Sequence, residues 1–188
     1  MDATLLILAG GKSSRFGEDK AKAAVKGKGF IDHILDNIGD LFSRVYIVSN
    51  EKEFNFKGNA EVIFEKGESF LGPLNGLFWG IKEGKGERFF LIGCDMPFVK
   101  RSVVSAMLGY NTSSDALIPV ISGYPEPLHG IYKKALLENI EQSMQAGNLT
   151  MMRLLKEINW EAFSCKDISK EEIIQSVKNI NHKADLEG

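Results

Sequence analysis

Cysteine, histidine and proline are scarce in this chain, at two, three and five among 188 residues. Cys94 and Cys165 have neither metal-ligand spacing nor enough company for a disulfide framework, which excludes a zinc module and a disulfide-built scaffold. Cys94 ends an apolar run and reads as a small core residue. Long hydrophobic runs are also lacking: none approaches the ~20 residues of a membrane span. No basic region precedes the short apolar stretch at the amino terminus, so no signal peptide is expected and the cytoplasm is the default compartment. Excess charge of one sign is missing as well. A net charge of −2 argues against sequence-independent nucleic-acid binding as the main activity. With no repeat, low-complexity tract or linker, the expectation is one domain over residues 1–188, large enough for a substantial core.

Short apolar runs are present. Strand-length runs occur at Thr4–Ala9, Val45–Val48, Glu61–Phe64, Phe89–Gly93 and Ala116–Val120. Between them lie helical periods. Phe30, Ile34, Leu35, Ile38 and Leu41 or Phe42 form one stripe, with Asp32, Asp36 and Asn37 expected on the outward face. Leu136, Leu137, Ile140 and Met144 form another, ended by Gly147. Further helices are expected near Arg101 and at Glu171-Glu172, where acidic residues suit a helix start. Strands alternating with helices imply parallel pairing with right-handed crossovers, hence a doubly wound α/β layer. Ligands in such sheets bind beyond the carboxyl ends of the strands.

The first strand empties into a loop rich in charge. Gly10 and Gly11 permit positive φ and leave room for phosphate oxygens near backbone N–H groups. Lys12, Arg15 and Lys20 can neutralise several negative charges; six basic residues fall between Lys12 and Lys28, against Glu18 and Asp19. That asymmetry suits a small polyanion such as a nucleotide. Two familiar phosphate loops do not fit: a P-loop would need glycine at Leu6, and a dinucleotide fingerprint would need glycine at Lys12. Taken alone, Gly10-Gly11-Lys12 reads equally well as a turn with solvated charges.

Two further segments carry chemistry. The run Phe89–Gly93 delivers Asp95 to a strand end, with Pro97 holding the chain extended beyond it. In a phosphate site such a carboxylate anchors Mg²⁺, which takes its other ligands from water and phosphate; the alternative is an Asp that caps a turn or the next helix. Gly72-Pro73-Leu74-Asn75-Gly76 leads into a helix whose amino terminus favours anions, though Gly-Pro before a helix is also a plain turn. Trp79 and Trp160 read as packing residues, and the helically spaced Met151, Met152, Leu154, Leu155 and Ile158 as part of a core or a partner surface. His33 falls on a polar face. His129, after a proline-rich turn, reads as structural before it reads as a substrate contact.

Together these segments resemble the molybdenum cofactor guanylyltransferase family. Leu8-Ala9-Gly10-Gly11-Lys12-Ser13-Ser14-Arg15-Phe16-Gly17-Glu18-Asp19-Lys20 is similar to its signature LAGG-x-S-x-R-[MF]-G-x-D-K. Gly72-Pro73-Leu74-x-Gly76, Cys94-Asp95-Met96-Pro97-Phe98 and Pro127-Leu128-His129-Gly130-Ile131-Tyr132 follow in family order. The resemblance spans nearly the whole chain. It implies a Rossmann-like three-layer α/β domain, a mostly parallel sheet flanked by helices as in nucleotide-diphospho-sugar transferases. It also implies GTP and molybdopterin or molybdenum cofactor as substrates, and Mg²⁺ as cofactor. The terminal phosphate of molybdopterin would attack the α-phosphorus and pyrophosphate would leave. A phosphate monoester is already ionised near neutral pH, so catalysis rests on alignment and charge stabilisation.

Residue by residue, the resemblance assigns Leu8, Ala9, Gly10, Gly11, Lys12, Asn50, Gly72, Pro73 and Leu74 to the nucleotide. Lys12 and Arg15 would face the triphosphate, Lys20 would neutralise charge at the reacting phosphate and Asp95 would hold Mg²⁺, with Lys20, Arg15 and Asp95 as the catalytic residues. Glu65 stands where the family carries aspartate, one methylene shorter. Asn179-Ile180-Asn181 resembles the family's Asn-x-Asn, with Asn181 a metal-ligand candidate, but His182-Lys183 replaces the usual Thr-Pro. The resemblance is also compatible with transient docking on molybdoenzymes or cofactor-handling proteins. Competing readings are a related nucleotidyltransferase using CTP or another acceptor, and a nucleotide sensor without turnover.

Overall fold

A computed structural model describes residues 2–9, 24–25, 28–51, 56–66 and 72–180. Every residue of the first strand, β1 (Thr4–Leu8), is buried, the pattern of a strand covered on both faces. A small antiparallel ribbon, β2 (Ala24–Val25) and β3 (Lys28–Gly29), precedes α1 (Phe30–Ile38). Then follow β4 (Arg44–Ser49), β5 (Glu61–Phe64), α2 (Pro73–Glu83), β6 (Arg88–Gly93) and α3 (Arg101–Gly109). The second half holds β7 (Ala116–Ile121), β8 (Tyr124–Pro125), β9 (His129–Lys133), α4 (Leu137–Gln145), α5 (Met151–Leu154), β10 (Trp160–Phe163) and α6 (Lys170–Ser176).

The main sheet runs β10-β7-β9-β6-β1-β4-β5, with β8 paired to β7. Strand β1 is parallel to β4 and β6, with Leu8 opposite Val48 and Gly93. The β4–β5 and β7–β10 pairs are parallel too. Strand β9 lies antiparallel between β6 and β7, so the sheet is mixed but mostly parallel, flanked by helices as expected. Side chains alternate between two cores. Leu5, Ile7, Ile47, Phe90 and Ile92 meet α1 and α3 on one face. Leu6, Leu8, Val48 and Leu91 meet α2 and α4 on the other. Gly80 lets α2 approach: a Cβ there would lie 2.6 Å from Leu6 Cδ1. Among the described residues no helix is long and apolar enough to cross a membrane.

One expectation about α1 is corrected. Asp32 does not face away but is buried, and its Oδ1 accepts the Lys57 N–H at 2.8 Å. Ile31 is buried beside it, so the inward face is wider than the stripe through Ile34 and Ile38. The backbone donor from Lys57 satisfies the carboxylate that this rotation buries. Asp36 is exposed and pairs with Lys28, and Asn37 reaches Pro97 O.

Candidate active site

Four parallel strands, β6, β1, β4 and β5, end on the same side of the sheet in that spatial order. Their ends are stitched together by backbone bonds. Ala9 N–H donates to Val48 O at 2.9 Å, Cys94 N–H to Leu8 O at 3.0 Å, and Glu65 N–H to Ser49 O at 2.8 Å. Ser49 Oγ donates to Ala9 O at 3.3 Å and accepts from Glu51 N–H at 3.0 Å. The platform is therefore tied together across three strand spacings, about 14 Å.

At the β5 end, Glu65 is half-buried, and Asn75 Nδ2 donates to its Oε2 at 2.5 Å. Burial pushes the Glu65 carboxyl above its ordinary range, and the Asn75 bond partly offsets this. Asn75 lies in the first turn of α2, which opens on Gly72 (φ +81) and Pro73, a proline-first start. Gly72 and Pro73 are exposed, whereas Leu74 is fully buried in the core. Asn50, half-buried, directly follows β4.

At the β6 end, the chain turns through Gly93, Cys94 and Asp95, closed by Met96 N–H donating to Gly93 O at 3.1 Å. Glycine at 93 leaves the Asp95 carboxylate its place, since a Cβ there would lie 2.6 Å from Asp95 Oδ1 and push it aside. The segment after α6 crosses this turn, with Ile180 N–H donating to Asp95 O at 2.8 Å. The preceding Asn179 has a buried Oδ1 with no hydrogen-bond partner among the described residues. Glu126, half-buried in the turn before β9, accepts the Leu128 N–H at 3.2 Å. Burial raises its carboxyl above the ordinary range, the Leu128 bond opposes this, and the Asp95 charge adds to the rise. Glu126 thus belongs to the Asp95 neighbourhood.

Beneath lies His129, fully buried on β9, edge-on to Phe90 with ring centroids 5.1 Å apart. Its Nε2 shares a 2.9 Å hydrogen bond with Ser176 Oγ, which also accepts the Lys100 N–H at 2.9 Å. His129 is therefore structural, holding the end of α6 and the start of α3 together. The structure brings Leu8, Ala9, Asn50, Glu65, Gly72, Pro73, Leu74 and Asp95 to one end of the sheet. Gly10, Gly11, Lys12, Arg15, Lys20 and Asn181 lie outside the described residues. Asn75 and Glu126 were not singled out by sequence reasoning, because each acts through a partner distant in the chain.

Among the described residues no group of three acidic, histidine or cysteine side chains could cage a metal. The Asp95 carboxylate and the Asn179 amide oxygen are both oxygen donors, the ligand chemistry that a hexacoordinate Mg²⁺ accepts alongside water and phosphate. The Asn179 oxygen, buried with no donor among the described residues, is the observation that fits such an ion.

Residues 5–162 match a family described as the MobA-like NTP transferase domain. A relative from Aquifex aeolicus (strain VF5), named "Probable molybdenum cofactor guanylyltransferase", is 34% identical over 187 residues, 97% of this chain and 88% of its own. A relative of the same name from Natranaerobius thermophilus is 33% identical, covering 99% and 94%. Among solved structures, molybdopterin-guanine dinucleotide biosynthesis protein A from Archaeoglobus fulgidus is similar at TM-score 0.79 and 25% identity, covering 98% of this chain and 95% of that one. A 2-C-methyl-D-erythritol 4-phosphate cytidylyltransferase from Francisella tularensis, 15% identical with TM-score 0.72 and covering 100% and 97%, shares the fold.

Proposed function

Since the chain belongs to the MobA-like NTP transferase family and is a nucleotidyltransferase, we propose that it transfers GMP from Mg-GTP to the terminal phosphate of molybdopterin or molybdenum cofactor. Pyrophosphate is the other product. One observation carries the reading beyond the family: the carboxylates of Glu65 and Asp95 stand at opposite ends of the row β5-β4-β1-β6. A nucleoside offers hydrogen-bond donors at one end, while the phosphates need a cation at the other. That polarity matches a nucleoside triphosphate laid along the strand ends.

In this reading Leu8, Ala9, Gly10, Gly11, Asn50, Glu65, Gly72 and Pro73 line the nucleotide, whereas Leu74, fully buried, anchors the first turn of α2 in the core instead of touching it. Lys12, Arg15 and Lys20 neutralise the triphosphate, with Lys20 at the reacting phosphate. Asp95, with Asn179 or Asn181, would hold Mg²⁺. The bound ion would supply charge neutralisation on the phosphates and orient the leaving pyrophosphate. The acceptor phosphate is already an anion, so the protein's work is alignment and the stabilisation of charge on transferred and leaving groups.

The test is pyrophosphate release with Mg²⁺, GTP and a molybdopterin-type acceptor, beside CTP and beside a reaction without acceptor. Release requiring both GTP and acceptor is expected. Preference for CTP would overturn the guanylyl assignment, and GTP binding without release would favour another acceptor or a sensor. Lys20→Ala and Asp95→Ala are each expected to lose turnover by about 10²–10³ while keeping the fold. Unchanged turnover in either would refute its role.

A further inference from the structure

The pair at the end of β5 has a feature that packing alone does not require. Asn75 is 2% exposed and sits on α2 among Leu74, Leu77 and Phe78, all buried and apolar. A buried amide is costly unless it is bonded, and an apolar residue would serve packing better here. Its Nδ2 donates to Glu65 Oε2 at 2.5 Å. Glu65 Oε1 lies over Gly76, 3.5 Å from where a Cβ at that residue would sit, and Leu8 Cδ2 is 2.8 Å from the same point. One carboxylate oxygen is thus taken, and the other faces the meeting point of α2 and the end of β1.

Glutamate has one more rotatable bond than aspartate, and an unheld carboxylate would sample several positions at the strand end. The Glu65 N–H bond to Ser49 O fixes the backbone, and the Asn75 bond fixes the far end of the side chain. An ionised carboxylate only accepts hydrogen bonds and repels phosphate. What it can take from a nucleotide is a donor: a ribose hydroxyl or an N–H of the base.

We propose that Asn75 is a positioning residue for nucleotide recognition, holding Glu65 Oε2 so that Oε1 accepts a hydrogen bond from the bound nucleoside. The inference rests on the nucleotidyltransferase reading above and adds a residue to it. Ordering Glu65 beforehand removes an entropic cost from binding. Asn75 touches no reacting atom, so its loss acts on nucleotide affinity.

The experiment is calorimetric titration of Mg-GTP into the wild type, Asn75→Ala, Glu65→Gln and the double variant, with no acceptor present. Four analogues that each lack one donor accompany it: 2′-deoxy-GTP, 3′-deoxy-GTP, ITP and N1-methyl-GTP. Each single substitution is expected to weaken GTP binding about tenfold, the size of one charge-assisted hydrogen bond. The double variant is expected to bind no worse than Glu65→Gln alone, because Asn75 acts through Glu65. The Asn75→Ala penalty is expected to vanish for the analogue missing the donor that Glu65 takes. Loss with a sugar analogue assigns the ribose, and loss with ITP or N1-methyl-GTP assigns the base. A merely structural Asn75 would penalise all five nucleotides alike. That result, additive penalties in the double variant, or wild-type affinity in Asn75→Ala would each overturn the inference. Should Asn75→Ala unfold, Asn75→Ser, too short to reach the carboxylate, carries the same comparison. A wild type that binds no nucleoside triphosphate would overturn the proposed function and this inference together. Wild-type GTP binding with an indifferent Asn75→Ala would overturn this inference alone.

Discussion

Acid should loosen this fold through His129. The imidazole is fully buried between Phe90 and the end of α6, and burial lowers its pKa from 6.5 to about 4. The ring has a partner only at Nε2, through Ser176; Nδ1 has none among the described residues. Whichever tautomer the neutral ring adopts, a second proton would leave a charged, fully buried ring with one N–H lacking an acceptor among the described residues. The sign follows from proton uptake. The unfolded chain binds a proton below 6.5 that the folded one refuses until about 4, so the stability is full above 6.5 and is lost as pH falls through that window. Between pH 7 and pH 5 the linkage amounts to about 2 kcal/mol, rising to about 3 kcal/mol below pH 4. Urea unfolding at pH 7 and pH 5, followed by the fluorescence of Trp79 and Trp160, measures it. The comparison is with His129→Gln, which keeps a neutral polar group at the site; titrations shared by both proteins cancel. The wild type should lose about 2 kcal/mol more than the variant over that interval. Equal losses would refute the buried-neutral assignment.

Two more substitutions probe the Asp95 turn and the helix that leads to its strap. Gly93→Ala places a Cβ 2.6 Å from Asp95 Oδ1 and must displace that carboxylate. Pyrophosphate release is expected to fall about 10²-fold with the urea midpoint little changed, and unaltered release would mean that the carboxylate position does not matter. Ser169→Ala removes the capping box of α6, in which Ser169 Oγ accepts from Glu172 N–H and Glu172 Oε2 accepts from Ser169 N–H. A loss of about 1 kcal/mol by urea unfolding is expected, and none would show that the cap adds nothing to the contacts that hold the rest of α6.

What was legible in the sequence follows the range over which each signal acts. Strands β1, β4, β5, β6 and β7 each announce themselves by a local apolar run. Strand β9 does not: it carries His129 and Gly130, and its inward face is filled by an imidazole bonded to Ser176, 47 residues away. Its antiparallel direction arises from the reversal between β7 and β8, where Ser122 and Gly123 both take positive φ. Ser-Gly is a recognisable turn signal, but nothing local says that the returning chain will insert between β6 and β7. Four-residue β10 is too short to show a period. Asp32 misled because a carboxylate reads as outward-facing until a backbone donor from outside its helix is known.

The site divides the same way. The placement of Asp95 at a strand end was legible because it stands two residues past an apolar run, while the choice between a metal anchor and a turn cap was not, since both use the same carboxylate. Asn75 was not, since in sequence it is one polar residue within a glycine-proline turn, and its meaning comes from Glu65 ten residues earlier, across the crossover from β5 to α2. Glu126 stayed hidden for a like reason, its neighbour Asp95 lying 31 residues back in the chain. Sheet order then adds what no motif contains. The crossovers that set β6, β1, β4 and β5 side by side turn separate strand ends into a single row, with Asp95 at one end and Glu65 at the other. On the function proposed above, the phosphate tail would lie toward Asp95 and the nucleoside toward Glu65, an order that the sheet topology supplies and no single motif contains.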